Sequence, residues 1–214
     1  MFLLALLLFQ LAAAQSIVLR TFDDDKIGAP PAGFAMATGR DAAADGWTVK
    51  REGAGRVLLH EGKPSPPDSF AVAIFLPLQY QDVQVSVRIK AMGGGRAAGL
   101  VWKYQDAMNH YSAQLDLVKQ ELVVYRVANG NRIRLRREDD LELDPDAWHS
   151  LKIFQEHGST RVYLGGIRVF NERDRMPKLK SSVGVWTSGD STVMFDDFRI
   201  EDETTDEPRG NARN

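Results

Sequence analysis

The 214-residue chain contains no cysteine. Disulfides, thiolate metal sites and cysteine nucleophiles are therefore excluded. Histidine is scarce: His60, His110, His149 and His157 are the whole set. No two of them stand in a His-x-x-x-His or His-Glu-x-x-His zinc pattern. No Gly-x-Ser-x-Gly elbow occurs, so an α/β-hydrolase mechanism has no support. Neither sign of charge dominates, with 27 Lys and Arg against 29 Asp and Glu for a net charge of -2. Without a basic excess or stripe, nucleic acid is not an expected partner. No stretch of ten or more residues holds a 3.6-residue hydrophobic period, which argues against long helices.

One long apolar run is present, at residues 2–9 within MFLLALLLFQLAAA. It is too short for a bilayer span, which takes roughly 20 residues. It fits the apolar core of a secretory signal with Ala12-x-Ala14 as the cleavage site. No Lys or Arg precedes it, so an uncleaved anchor or a buried strand is the alternative reading. The expectation is a signal peptide over 1–14 and a secreted or periplasmic mature chain, clear of the membrane once cleaved.

Short β patterns fill the chain beyond residue 16. Val83, Val85, Val87 and Ile89 alternate with Gln84, Ser86, Arg88 and Lys90, the period-2 signature of a half-buried strand. Comparable stretches lie at 17–22, 56–60, 69–75, 97–104, 109–117, 120–127, 131–136, 148–155, 160–164, 167–171, 182–187 and 192–201. Gly93-Gly94-Gly95, Asn129-Gly130-Asn131, Asp144-Pro145-Asp146, His157-Gly158-Ser159 and Gly165-Gly166 punctuate them as turns. Residues 28–46 read as a long loop with a short strand near Phe34. The tail 202–214 is nearly devoid of apolar residues and reads as disordered. One all-β antiparallel sandwich or barrel over 17–201 is the expected architecture.

Trp148-His149-Ser150-Leu151-Lys152-Ile153, then Arg161-Val162-Tyr163-Leu164-Gly165-Gly166, resembles the hairpins of laminin-G-like and concanavalin A-like domains. Gly184-Val185-Trp186, followed by Phe195-Asp196-Asp197-Phe198-Arg199-Ile200, resembles the ending of bacterial concanavalin A-like proteins. Those include domains grouped with the 3-keto-disaccharide hydrolase family. The stretch from Ala98-Gly99-Leu100-Val101-Trp102 to Asn109-His110-Tyr111 is similar to a strand pair of the same group. The resemblance implies a two-sheet antiparallel jelly roll. It also implies, as one option, hydrolysis or lyase cleavage of an oxidised disaccharide. In this sandwich Trp148 would plug one end.

The chemistry is weighed residue by residue. Glu138-Asp139-Asp140-Leu141-Glu142 matches the Glu-x-Asp-x-Glu spacing of sandwich glucanases, but Asp139 stands where an apolar residue should point inward. Leu141 and Leu143 are the better core pair, so a solvated strand end is the stronger reading. Asp23, Asp25 and Asp197 stand where the first and last strands should meet and are candidate ligands for a structural calcium. The alternative is an Asp turn capping backbone N–H groups. Trp102 and Trp186 as stacking platforms, with Arg88, His110, Gln114 and Asp190 bonding hydroxyls, would make a carbohydrate site on a concave sheet. The alternative buries these aromatic residues between the sheets. If the protein is an enzyme, His110, Asp116 and Asp190 are the central acid–base candidates. Carbohydrate binding without catalysis leads; a glycosidase-type hydrolase or lyase is second, and an adhesion or scaffold module third. An open groove with exposed tryptophan would mark the first, a deep pocket with a convergent acid and base the second, and buried tryptophans the third.

Overall fold

The computed structural model describes residues 16–39, 45–66, 68–173 and 180–203. The expected signal peptide at 1–14 lies outside these residues, as does 204–214 of the expected tail. Alternating apolar residues fold the described chain into fifteen strands, with no helix among them. They are β1 (Ile17–Arg20), β2 (Phe34–Gly39), β3 (Trp47–Glu52), β4 (Gly55–His60) and β5 (Phe70–Tyr80). Next come β6 (Val83–Gly93), β7 (Ala97–Asp106), β8 (Asn109–Asp116), β9 (Glu121–Ala128) and β10 (Asn131–Glu138). The last are β11 (His149–Glu156), β12 (Ser159–Leu164), β13 (Ile167–Arg173), β14 (Ser181–Ser188) and β15 (Thr192–Asp202).

Two antiparallel sheets result. The first runs β13-β12-β11-β6-β15-β4-β3, with β1 also paired to β15. The second runs β10-β9-β8-β7-β14-β5-β2. Antiparallel sheets stacked face to face enclose a core of inward alternates. Here Val85, Val87 and Ile89 of β6 meet Leu100 and Trp102 of β7, Ala113 and Leu115 of β8, and Phe195 and Phe198 of β15. Leu141 and Leu143 pack against this core while Glu142 is exposed, as the solvated-strand-end reading of that segment requires. The fold is an all-β, two-sheet antiparallel sandwich of the jelly-roll type.

Several expectations need correction. β3 falls inside no expected strand, although Trp47 and Val49 alternate inward with Thr48 and Lys50 outward. Trp148 plugs no end; it lies on the outer face of the first sheet against Val57, Leu59 and Met194. Alternation over the expected strand 97–104 would put Trp102 and Tyr104 on one face, but they do not share one. Lys103 adopts φ 49° and the register with β8 slips between Trp102 and Asp106. The slip leaves Trp102 in the core and turns Tyr104 out to Val101 and Trp186. Such a bulge re-aims every side chain beyond it.

Candidate functional site

The second sheet carries an apolar cluster on its outer face as well as its inner one. Phe75, Ala73 and Ala71 of β5 point into the core, while Ile74, Val72 and Phe70 point the other way with Trp186 and Val101. A strand apolar on both faces is one covered on both faces. The cover is the sheet itself, curled so that its ends approach over the concave side. Phe70 of β5 stands edge-on to His110 of β8 with ring centroids 5.5 Å apart, although β14 and β7 lie between those strands.

A cavity of about 590 Å³ opens under this curl. Its floor is Trp186, Phe70, Val123 and Val127, and its polar lining includes His110, Gln114, Asp116, Asp190, Glu121 and Arg132. Cross-strand register explains the grouping: Trp186 lies opposite Gly99, Gly99 opposite Gln114, and Gln114 opposite Val123. One row across four strands thus presents an indole, a glycine gap, an amide and a valine.

The polar groups are held in defined states. Arg132 donates to Gln114 Oε1 at 2.5 Å and lies over the Tyr125 ring at 3.7 Å. Gln114 Nε2 in turn donates to Ser112 Oγ at 2.9 Å. Asp116 accepts from the Val118 and Lys119 N–H groups and from Lys119 Nζ. Glu121 accepts from Arg137 at 2.7 Å. Burial lowers the pKa of His110, against hydrogen bonding to the Asp106 carbonyl, so its ring is neutral at pH 7. Nδ1 lies 3.4 Å from the Asp106 carbonyl oxygen, and the backbone at Ala107 also favours the protonated ring.

Asp190 has a different support. Its Oδ1 accepts from Ser188 Oγ at 2.7 Å, which uses the only proton of that hydroxyl. Ser191 Oγ must then donate to Ser188 Oγ across 2.6 Å, and itself accepts from the Ala97 N–H at 2.9 Å. The chain Ala97 N–H to Ser191 to Ser188 to Asp190 has one polarity, and such chains strengthen their members. The glycine turn at 93–95 fits around the same residue. A Cβ on Gly94 would overlap the Asp190 carbonyl oxygen, and one on Gly95 would come within 2.6 Å of its carboxylate.

Of the expected site residues, His110, Gln114, Asp116, Trp186 and Asp190 line this one cavity. Two do not. Trp102 is fully buried between the sheets and offers no platform. Arg88 belongs to β6 in the other sheet, where it lies over the Trp148 ring at 4.8 Å and pairs with Asp197 at 3.2 Å. The sequence neighbours β6 and β7 lie in different sheets, so the polar alternates of β6 never reach the concave face. Trp186 reaches the floor at 5% exposure, stacked under Phe70, so both tryptophans are buried, the mark expected of a scaffold module; the cavity itself is what that reading does not provide. Phe70, Arg132, Val123 and Val127 join the site without having been expected there. The one sequence signal for them is the double-faced apolarity of Phe70-Ala71-Val72-Ala73-Ile74.

Each of the expected calcium ligands has a protein partner. Asp25 pairs with Arg20 at 2.6 Å and accepts the Ala32 N–H, and Asp23 accepts the Arg56 N–H. Asp197 pairs with Arg88. The first and last strands do meet, Arg20 opposite Phe198, but these carboxylates act as turn caps and ion-pair partners. Among the described residues no three His, Asp or Glu side chains are grouped to hold a metal ion.

No family model matches the chain, and no curated protein matches it. Solved structures do. A carbohydrate-binding module from Bacillus subtilis aligns with TM-score 0.57 and 21% identity over 72% of this chain and 94% of its own. A β-glucanase from Bacillus licheniformis aligns with TM-score 0.56 and 10% identity, covering 90% of this chain and 99% of its own. A β-1,3-1,4-glucanase derived from a mouse hindgut metagenome aligns with TM-score 0.57 and 10% identity, covering 88% and 100%. At these identities the likeness is one of fold, and function rests on the site itself.

Proposed function

We propose that the chain binds a carbohydrate, holding one unit of a glycan in the concave cavity without cleaving it. The observation that carries this reading is the division of the lining. Phe70, Trp186, Val123 and Val127 supply an apolar floor, and Gln114, Asp190 and His110 supply hydrogen-bonding groups beside it. A pyranose has the same two characters, an apolar ring face and a rim of hydroxyls, and pockets that orient such ligands are mainly apolar with a few placed polar groups. The shared fold with a carbohydrate-binding module and glucanases supports the reading as analogy. Export through the 1–14 segment would place this site outside the cytoplasm, where polysaccharides are met.

Catalysis is the second reading, and one observation favours it. His110, whose pKa burial lowers, shares the cavity with Asp190, a base and an acid–base partner for hydrolysis or lyase cleavage of a 3-keto-disaccharide. The other carboxylates fit it less well. Asp116 and Glu121 are already bound to Lys119 and Arg137, whereas glycoside cleavage needs one carboxyl free to carry a proton.

The test is a titration of the full chain with β-linked gluco-oligosaccharides and 3-keto-disaccharides, read by tryptophan emission with product assayed in the same wells. Saturable binding without product is expected. Product release would put catalysis first. Silence across the panel would leave a scaffold or adhesion module.

A further inference from the structure

The concave cavity does not end at Arg132. A second cavity of about 370 Å³ continues beyond it, bounded by Thr38, Gly39, Met108, Ala107, Gly130 and Asn131. Asp68, Phe70, Val127 and Arg132 line both. The wall shared by the two is an ion pair: Arg132 Nη1 lies 3.1 Å from Asp68 Oδ1.

That contact is unusual for its reach. Asp68 immediately precedes Ser69 and β5, while Arg132 lies on β10 at the far edge of the same sheet. Five strand-to-strand steps separate β5 from β10, about 24 Å along a flat sheet at about 4.8 Å each. The carboxylate and guanidinium meet because the sheet is curled and Asp68 borders the cavity on its concave side. Arg132 is fixed independently by Gln114 and the Tyr125 ring. Asp68 is the less anchored partner, 66% exposed, on a residue with φ 64°.

We infer that the Asp68–Arg132 pair is the specificity-determining partition of the groove. Closed, it confines a terminal glycan unit to the larger cavity; opened, it joins the second cavity, which then takes the adjoining unit of the same chain. This rests on the reading of the larger cavity as a carbohydrate site. The second cavity suits a saccharide unit for the same reason as the first. Met108, Phe70 and Val127 give it an apolar surface, and Thr38, Asn131 and Arg132 give it hydrogen-bonding groups. The partition is easily opened, because an ion pair this exposed is worth at most about 1 kcal/mol.

The experiment measures affinities for β-linked gluco-oligosaccharides of one to four units in the native chain, in Asp68→Asn and in Asp68→Asn/Met108→Trp. Asparagine tolerates the left-handed backbone at position 68, and tryptophan at the exposed Met108 fills the second cavity. The ratio of trisaccharide to monosaccharide affinity should rise about fivefold in Asp68→Asn, equivalent to about 1 kcal/mol at 1.4 kcal/mol per tenfold. It should return to the native value in the double variant. An unchanged ratio in Asp68→Asn, with monosaccharide still bound, overturns the partition and leaves the main site standing. A raised ratio that Met108→Trp does not reverse places the second unit elsewhere and also overturns it. No binding by any of the three proteins overturns the carbohydrate reading and the partition together.

Discussion

Phe70 lies over Trp186, with ring centroids 6.3 Å apart and planes within 29° of parallel. The indole is thereby reduced to 5% exposure, and the face offered to a ligand is that of the phenylalanine. Phe70→Ala should shift tryptophan emission to the red, and Phe70→Ala/Trp186→Phe should abolish that shift. Losing one aromatic contact, worth about 0.5–1.5 kcal/mol, should weaken glycan binding about threefold to tenfold by titration calorimetry. Unchanged affinity would remove Phe70 from the site.

Asp190 should contribute more, because hydrogen bonds to a charged group are worth about 1.5–3 kcal/mol. Asp190→Ala is expected to raise Kd at least tenfold. Ser191→Ala breaks the chain of hydroxyls behind it and should raise Kd only about threefold. The two effects are coupled: on the Asp190→Ala background, Ser191→Ala should cost nothing further, as a double-mutant cycle would register.

Acid should loosen the fold through two buried rings. Burial lowers the pKa of both His60 and His110 below the ordinary histidine value. In the window below about pH 6.5 the unfolded chain binds more protons than the folded one, so stability rises with pH there. Their contribution is complete above about 6.5 and is lost as pH falls through the folded values. Melting temperature measured from pH 7.5 to 5 should fall, and His110→Gln should flatten the slope. Parallel curves for native chain and variant would contradict this account.

Calcium should have little effect. Arg20 and Arg88 already neutralise Asp25 and Asp197. Melting in calcium and in chelator should agree within about 1 °C. A shift of several degrees, lost in Asp23→Asn, would place an ion where the first and last strands meet.

Asp82 should prove to be a structural carboxylate. It is 4% exposed and accepts from Gln155 Nε2 at 3.0 Å and from the His157 N–H at 3.1 Å. Its charge also favours the protonated form of the buried Lys103 against desolvation. Asp82→Ala leaves these donors without their acceptor and removes the charge that favours the Lys103 ammonium, at a cost of about 3 kcal/mol. Chemical denaturation would measure it, and a loss under 1 kcal/mol would mean water replaces the carboxylate.

Strand-by-strand alternation carries the fold. Val83 to Ile89, the glycine turns and the Leu141/Leu143 pair all sit where period 2 places them. The site is legible in part for a physical reason. Alternation tells which residues share a face of one strand, and so His110, Gln114 and Asp116 group correctly. It does not tell which strands share a sheet, and so it joins Arg88 to them although the chain changes sheets at the 93–95 turn. Nor does it register a bulge such as Lys103, beyond which Tyr104 faces away from Trp102. The meeting of Arg132 and Asp68 depends on sheet curvature, which no local pattern encodes.

β15 lies inside the first sheet, between β6 on one side and β4 and β1 on the other. It is also the last strand of the described residues. Among the described residues β1 pairs only with β15, and β4 only with β3 and β15, so β15 ties this half of the sheet to β6. The sheet therefore depends on a pairing of β1 with β15, strands far apart in the sequence, and such non-local pairings slow folding.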